Sequence, residues 1–389
     1  MLPYFLAASD PNAAPPFFTL LSLVFMGVII IALILAKFKQ SLMAGYFICG
    51  IILANSGVLF HIPDAQTSIH ALSEVGIILL MFTLGLEFSL DELKHLRKIA
   101  VVGGGVQMSI CTVCFALGLH FLAGLDLNHS VVLGCIVGLS STAVSIKSFQ
   151  EFGLSGTSGA KMALGIALFQ DITAIMLVAM MPQIFSESAG AWETTINIGT
   201  SVAKGGFFLI IAWLIGKYLL PGLMQAVSVT KSRELFTLMV FAICSGIAML
   251  ATVMGLSIAL GAFVAGLVVS SSYYSHRVLS EVLPFKDLFL TVFFVSAGLL
   301  IDLGVVADEW IWLTSLTIIV LIVKFFACIM AAKALRISGK MGLFATTSLT
   351  NVGEFSLVLI PFMKQVTPVP DNVSTNVYAI AAISMGLTP

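Results

Sequence analysis

Long apolar runs recur along the whole chain and are separated by short polar loops. In a bilayer every backbone N–H and C=O must be paired inside the protein, so an apolar run of roughly 20 residues crosses the hydrocarbon core as an α-helix. This length criterion predicts thirteen spans, near residues 17–36, 41–60, 69–88, 99–123, 129–149, 159–183, 195–219, 235–253, 255–275, 284–304, 309–332, 341–363 and 374–389. The sequence therefore predicts an all-α polytopic membrane protein, with an extracytoplasmic segment at residues 1–16 and a transmembrane domain at residues 17–389.

The composition excludes the other common classes of protein. The chain is 59% apolar and 10% charged, whereas soluble domains are about 45–50% apolar and about 25% charged. Its net charge of −1 leaves no basic field that could neutralise a nucleic-acid backbone. We expect the lipid bilayer as the surroundings of this chain and no nucleic acid as a partner.

The loop charges predict an orientation. Cytoplasmic loops of membrane proteins carry an excess of Lys and Arg. With the N-terminus outside, 15 of the 18 basic residues fall in inner loops: Lys37, Lys39, Lys94, Arg97, Lys98, Lys147, Lys161, Lys217, Lys231, Arg233, Arg277, Lys286, Lys333, Arg336 and Lys340. The C-terminus is then cytoplasmic, and we expect the last helix to continue beyond residue 389.

Two charged side chains, Asp171 and Lys324, lie in the middle of predicted spans. A charge at the bilayer centre costs at least about 2.5–3.5 kcal/mol, so such residues mark functional sites. One interpretation is a structural ion pair between the two. The other, which we favour because a buried ion pair is an expensive way to hold helices together, is an ion or proton site at Asp171. A pair that opens when a cation binds would satisfy both interpretations.

The fifth and twelfth predicted spans have polar middles, at residues 138–143 and 346–353. Ser and Thr can bond their own helix, so a continuous helix is one interpretation. However, the two spans are seven apart and therefore run in opposite directions, as equivalent members of an inverted repeat would. We predict two broken helices that cross near the midplane, which places half-helix termini and free carbonyls beside an ion.

Uncharged oxygens near Asp171 could complete a shell around a cation. The predicted direct ligands of potassium or sodium are Asp171, Gln170 and Thr142. The predicted supporting residues are Lys324, Ser141, Thr142, Asn351 and Glu354. A buried carboxylate can hold either a proton or a monovalent cation, and this competition couples the two fluxes. We expect no catalytic residue.

Seven features carry a family resemblance. They are GIILLMFTLGLE at 76–87, LSSTA at 139–143, FQD at 169–171, GAFVAG at 261–266, PFKDLF at 284–289 with FFVSAG at 293–298, Lys324, and GEF at 353–355. In this order they resemble the second monovalent cation:proton antiporter family, and within it the Kef-type potassium/proton antiporters. The resemblance implies a homodimer in a bacterial inner membrane, in which a core (transport) domain moves like an elevator against a dimerisation domain.

The resemblance also implies roles for particular residues. Asp171 would bind the cation and the proton, and Lys324 would be its membrane-embedded basic partner. Gln170 stands where many sodium/proton relatives have Asp or Asn, which favours potassium. A nucleotide-binding regulatory domain would follow in the cytoplasm, or an ancillary subunit would take its place. AMP, NAD or glutathione would act only through that absent domain, so we expect no cofactor in this chain, only ions as substrates.

Other functions fit parts of the pattern. A sodium/proton antiporter of the same family and a sodium-coupled symporter would share the architecture. A ligand-gated potassium efflux channel could use the same charges, although no TVGYG-type filter is present and Lys324 would obstruct a cation pore. An intramembrane serine protease would need the Gly-Leu-Ser-Gly of residues 153–156 at membrane depth, but this motif falls in a predicted inner loop. We expect no enzyme.

Overall fold

The computed structural model describes residues 16–37, 42–57, 65–87, 95–185, 191–299, 301, 303–304, 309–337 and 339–387. All regular secondary structure in these ranges is helical, which confirms the predicted all-α class. The predicted extracytoplasmic segment 1–16 lies, up to residue 15, outside the described residues.

The helices follow the predicted apolar runs. They are α1 (Pro16–Lys37), α2 (Leu42–Asn55), α3 (Ala65–Glu87), α4 (Gly105–Ala123), α5 (Leu127–Gly138), α6 (Thr142–Glu151), α7 (Ser158–Ile184), α8 (Ala191–Leu214), α9 (Leu220–Val229), α10 (Arg233–Val253), α11 (Ile258–Ser270), α12 (Ser275–Leu299), α13 (Trp310–Ala334), α14 (Lys340–Ser348), α15 (Glu354–Val366) and α16 (Asp371–Leu387). A π-helical turn, Ile99–Gly104, leads into α4, and another, Ile215–Leu219, joins α8 to α9.

Some of these helices are long enough to span a membrane. In the described part of the chain, eight helical stretches are long and apolar enough to cross a membrane, and shorter apolar helices cover 45–55, 127–138 and 258–270. Each of the thirteen predicted spans contains helix. The number of thirteen crossings and the outside N-terminus stay predictions, because several of these helices are short or interrupted.

The chain divides into two compact units, and the first combines residues 1–76 with 288–310. One of its apolar clusters joins Leu20, Ile69 and Val292. Its closest helix contact involves Gly50 of α2 and Gly298 of α12, since a Cβ at either glycine would collide with the backbone of the other helix. Small residues permit this approach of two backbones.

The second unit combines residues 77–287 with 311–389. Within it, Gly85 of α3 and Gly266 of α11 make the same kind of backbone contact. Helices α2 and α11 are the second and ninth predicted spans, and α3 and α12 are the third and tenth. A shift of seven spans therefore relates the Gly50–Gly298 pair to the Gly85–Gly266 pair, as an inverted repeat requires.

A buried apolar cluster in the second unit holds four helices around the broken segments. It contains Phe149 of α6, three residues of α7, three of α13, one of α14 and the residue that follows α14: Met162, Ala163, Ile166, Cys328, Ala331, Ala332, Ala345 and Leu349. The small side chains of α13 let this helix pack closely, so that Lys324 on the same helix is fully buried.

Candidate functional site

Two helix interruptions lie in the second unit. Helix α5 ends at Gly138 and α6 begins at Thr142, while α14 ends at Ser348 and α15 begins at Glu354. The prediction of two broken helices is therefore confirmed. The Ser141 hydroxyl accepts a hydrogen bond from the Val144 N–H and so caps the start of α6. Such a cap satisfies one of the donors that a new helix start leaves unpaired.

The two interruptions bond directly to each other. The Gly353 N–H donates to the Leu139 carbonyl oxygen at 3.0 Å, and the Ser141 N–H donates to Asn351 Oδ1 at 2.7 Å. We call this contact between the two interruptions the crossing. Two hydroxyl groups also bond across it: Ser140 Oγ donates to the Leu349 oxygen at 2.6 Å, and Ser145 Oγ donates to the Ser348 oxygen at 2.7 Å. The polar residues of each span thus pair the backbone groups that the other span leaves open.

We expect Gly353→Ala to destabilise this crossing. A Cβ at position 353 would lie 2.6 Å from the Ser140 carbonyl carbon and 2.8 Å from the Ser141 nitrogen. Overpacking of this kind costs about 1–3 kcal/mol, and here the obstructing atoms belong to backbone that cannot rotate away. The measurement is the melting temperature of the purified protein in detergent.

Gly118→Ala on α4 is the matched control, because a Cβ there meets no atom within 4 Å. The φ of Gly353 is −82°, an ordinary value, so backbone strain contributes nothing to the expected difference. Equal melting temperatures for the two variants would contradict the crossing.

Asp171 lies on α7 and is 6% exposed. Its Oδ1 atom is buried and has no hydrogen-bond partner among the described residues, and the same holds for Thr142 Oγ1 and Glu354 Oε2. The carboxylates of Glu354 and Glu87 repel the charge of the Asp171 carboxylate. These oxygens are available to a cation.

Helix geometry contributes to the electrostatics of this site. Thr142 and Glu354 are the first residues of α6 and α15. Helix N-termini carry a partial positive charge that favours nearby anions. The Glu354 carboxylate therefore complements the start of α15. The start of α6 has only neutral side chains in its first turn, Thr142 among them.

Lys324 is fully buried on α13, where it bonds to backbone oxygens rather than to Asp171. Its Nζ donates to the carbonyl oxygens of Val137 at 3.1 Å, Gly138 at 3.0 Å and Leu139 at 2.6 Å. None of the ion pairs within the described ranges joins it to Asp171, so the structural ion pair, the less favoured of the two interpretations of the sequence, is not formed in this structure. The C-terminal end of α5 leaves carbonyls unpaired and partially negative, and the ammonium group satisfies that end instead.

Gln170 holds an interruption in place. Its Oε1 accepts from the Ser140 N–H at 2.9 Å, and its Nε2 donates to Gln107 Oε1 at 2.8 Å. One lone pair of the Gln170 oxygen is therefore already used by the backbone.

The other predicted shell residues are also engaged in the crossing. Asn351 accepts from the Ser141 N–H and donates from Nδ2 to the Ser348 oxygen at 3.1 Å. The Ser141 hydroxyl caps α6. The structure thus places all seven predicted residues at the two interruptions or next to them. Asp171, Thr142 and Glu354 have oxygens without a hydrogen-bond partner among the described residues. Gln170, Ser141, Asn351 and Lys324 mainly form hydrogen bonds that hold the backbone of the interruptions.

Sequence reasoning missed two residues that contribute to this arrangement. Gln107 on α4 is fully buried and donates to the Gly138 oxygen at 3.0 Å. Ser356 on α15 donates to the Ile136 oxygen at 2.6 Å. Gln107 could have been found, because an amide inside an apolar span needs a partner. Ser356 carries no such signal, since a lone hydroxyl in a helix usually bonds its own backbone.

The sequence matches a known protein family and curated relatives. The family model described as "Sodium/hydrogen exchanger, transmembrane" matches residues 21–389. The protein named glutathione-regulated potassium-efflux system protein KefC from Shigella sonnei is 30% identical over 350 residues, and that from Escherichia fergusonii is 31% identical over 345 residues. Each alignment covers 89% of this chain and 55% of the relative. The chain spans about half the length of these curated relatives.

A solved structure shows the same fold. The sodium proton antiporter MjNhaP1 from Methanocaldococcus jannaschii superimposes with a TM-score of 0.67 over 96% of this chain and 94% of its own, at 16% identity. The resemblance to Kef-type proteins is confirmed by the KefC alignments. With the family match over nearly its whole length, the chain belongs to the sodium/hydrogen exchanger family of monovalent cation/proton antiporters, multi-pass membrane proteins whose substrates are ions.

Proposed function

We propose that this chain exports potassium in exchange for protons across a bacterial inner membrane, with Asp171 as the one exchanging carboxylate. One observation carries the proposal: Asp171 Oδ1 is buried and has no hydrogen-bond partner among the described residues, and Thr142 Oγ1 and Glu354 Oε2 are likewise without one. An ionised carboxylate buried in this way is unfavourable unless a positive charge joins it. A proton or a monovalent cation supplies that charge.

Lys324 determines the expected stoichiometry. We propose that Lys324 stays protonated while Asp171 changes partner, because three carbonyl oxygens accept hydrogen bonds from its ammonium group. One carboxylate then exchanges one cation for one proton, and the cycle moves no net charge. The empty, charged site crosses the membrane with difficulty, which suppresses leak.

The movement that exposes Asp171 to each side is, in this proposal, an elevator-type displacement of a core domain against the dimerisation domain of a homodimer. The inverted repeat supports it, since two related halves give two related end states. A cytoplasmic regulatory domain or ancillary subunit would control the movement from outside this chain.

Potassium is the proposed cation for two reasons. Relatives that share about 30% identity with this chain are named potassium-efflux systems. The groups beside Asp171 include the uncharged oxygens of Gln170 and Thr142, and a weak-field shell of this kind suits an ion that loses water easily. Sodium is the second candidate, because the structural neighbour MjNhaP1 is titled a sodium proton antiporter.

The test uses purified protein in liposomes that hold a pH gradient and a pH-sensitive dye. Added potassium should dissipate the gradient with saturation, sodium should do so less effectively, and clamping the membrane potential should leave the rate unchanged. Dissipation by sodium alone would establish the sodium alternative. Potassium flux that carries no protons would overturn antiport in favour of a channel.

A further inference from the structure

Gln107 joins two parts of the site through one amide group. It lies on α4, fully buried. Its Nε2 donates to the Gly138 carbonyl oxygen at 3.0 Å, and its Oε1 accepts from Gln170 Nε2 at 2.8 Å. Lys324 Nζ donates to the same Gly138 oxygen at 3.0 Å. Gln107 therefore touches both the end of α5 and the residue that precedes Asp171.

The directions of these bonds are determined at both ends by backbone groups. The Ser140 N–H can only donate, so Gln170 presents its oxygen there, at 2.9 Å. The Gly138 carbonyl can only accept, so Gln107 presents its NH₂ group there. The middle bond then has one arrangement, from Gln170 Nε2 to Gln107 Oε1. The two glutamines form a one-way chain of three hydrogen bonds between residues 138 and 140.

Helix packing keeps Gln107 within reach of Gln170. The π-helical turn Ile99–Gly104 precedes α4, and a Cβ at Gly104 would collide with the side chain of Phe169, the neighbour of Gln170. A Cβ at Gly165 would lie 2.6 Å from Ile99 Cγ2. The π-helical turn that leads into α4 is thus pressed against α7, and π-helical turns often occur where a helix must place a functional side chain.

The orientation of the Gln170 amide matters because its two ends have opposite effects on a cation. The oxygen end attracts a cation, and the NH₂ end repels it. If Gln107 were absent, Gln170 Nε2 would keep only its longer contact with Ser140 Oγ, at 3.4 Å. The bond from the Ser140 N–H, at 2.9 Å, would then be the main one that holds the amide, and a turn of the amide away from it would present hydrogen atoms to the interruption.

We propose that Gln107 is a positioning residue for cation selectivity: it holds Gln170 with its oxygen, rather than its NH₂ group, facing the interruption beside Asp171. This inference rests on the proposed exchange at Asp171 and adds a residue on a third helix that determines which cation the site prefers. The expected effect lies in the KM values of the competing cations.

The test compares Gln107→Met and Gln107→Glu with Gln183→Met in the liposome assay, using potassium and sodium separately. Methionine has a similar length but forms neither hydrogen bond, so Gln107→Met should raise the KM of the preferred cation about tenfold, as expected for one lost hydrogen bond. The potassium-to-sodium ratio of KM values should change with it. Gln183 at the other end of α7 supplies the same substitution away from the site, and the ratio should be unchanged there.

Gln107→Glu separates positioning from packing. A glutamate that carries its proton repeats both bonds, whereas an ionised one loses the bond to Gly138. The preference of this variant should therefore be close to that of the wild type at low pH and be lost as the pH rises. A parallel loss of turnover for both cations in Gln107→Met, with an unchanged KM ratio and no new pH dependence in Gln107→Glu, would overturn the proposal. The ratio is measured whichever cation the wild type prefers, so an error about potassium leaves this test intact, and an inactive wild type would instead overturn the proposed function.

Discussion

Asp171→Asn should abolish cation/proton exchange while leaving the fold intact. Asparagine has nearly the same shape but neither takes up and releases a proton nor carries the negative charge that holds a cation. Because Asp171 Oδ1 has no hydrogen-bond partner, no described bond of that atom is lost. Removal of a buried, uncompensated charge is favourable for stability. We therefore expect background flux in liposomes, with a melting temperature equal to that of the wild type or higher.

The matched control is Asp287→Asn. Asp287 is an exposed carboxylate on α12 that lies 3.4 Å from Lys286 Nζ, and its loss should leave exchange close to the wild-type rate. Normal proton-coupled transport by Asp171→Asn would remove the basis of the proposed site. Loss of folded protein in Asp171→Asn would show instead that the carboxylate has a structural role.

Lys324→Met should cause the largest loss of stability among the substitutions considered. The variant removes three charge-assisted hydrogen bonds from the end of α5, and a hydrogen bond to a charged group contributes about 1.5–3 kcal/mol. The Gly138 and Leu139 oxygens keep a second donor, from Gln107 and from the Gly353 N–H. The Val137 oxygen keeps none that we observe, so we expect a net loss of about 3 kcal/mol, read from thermal unfolding in detergent.

Lys204→Met is the control, because Lys204 is exposed on α8 and its removal should change stability little. Any Lys324→Met protein that stays folded should still exchange one cation for one proton. Electrogenic exchange by the wild type that becomes electroneutral in Lys324→Met would show that Lys324 releases a proton during transport, and would contradict its role as a bound charge.

Much of the fold could be predicted because a membrane allows few solutions. Apolar runs long enough to cross the bilayer are visible directly, and each contains helix. The interruptions were also predictable, since residues 138–143 and 346–353 are polar in spans that are otherwise apolar. Their spacing of seven spans indicated the inverted repeat, which the two glycine pairs now support.

The pairing of polar groups could not be predicted in the same way. Asp171 and Lys324 are the two charges at mid-span, so an ion pair was one interpretation of the sequence beside the favoured ion or proton site. In the structure the carbonyl oxygens at the end of α5 accept hydrogen bonds from Lys324 instead. Those acceptors belong to the backbone, so the residue types of Val137, Gly138 and Leu139 do not reveal them.

The sequence by itself determined that this chain lies in a membrane, where its helices break and which carboxylate is the candidate for exchange. Each of these follows from the high cost of placing polar groups in hydrocarbon, which makes every exception visible. Only the tertiary structure decided which oxygens remain free and which amides and ammonium groups are already bound. That outcome depends on donors and acceptors far apart in the sequence, such as Ser141 and Asn351, which are 210 residues apart and whose distance and direction are set by helix packing.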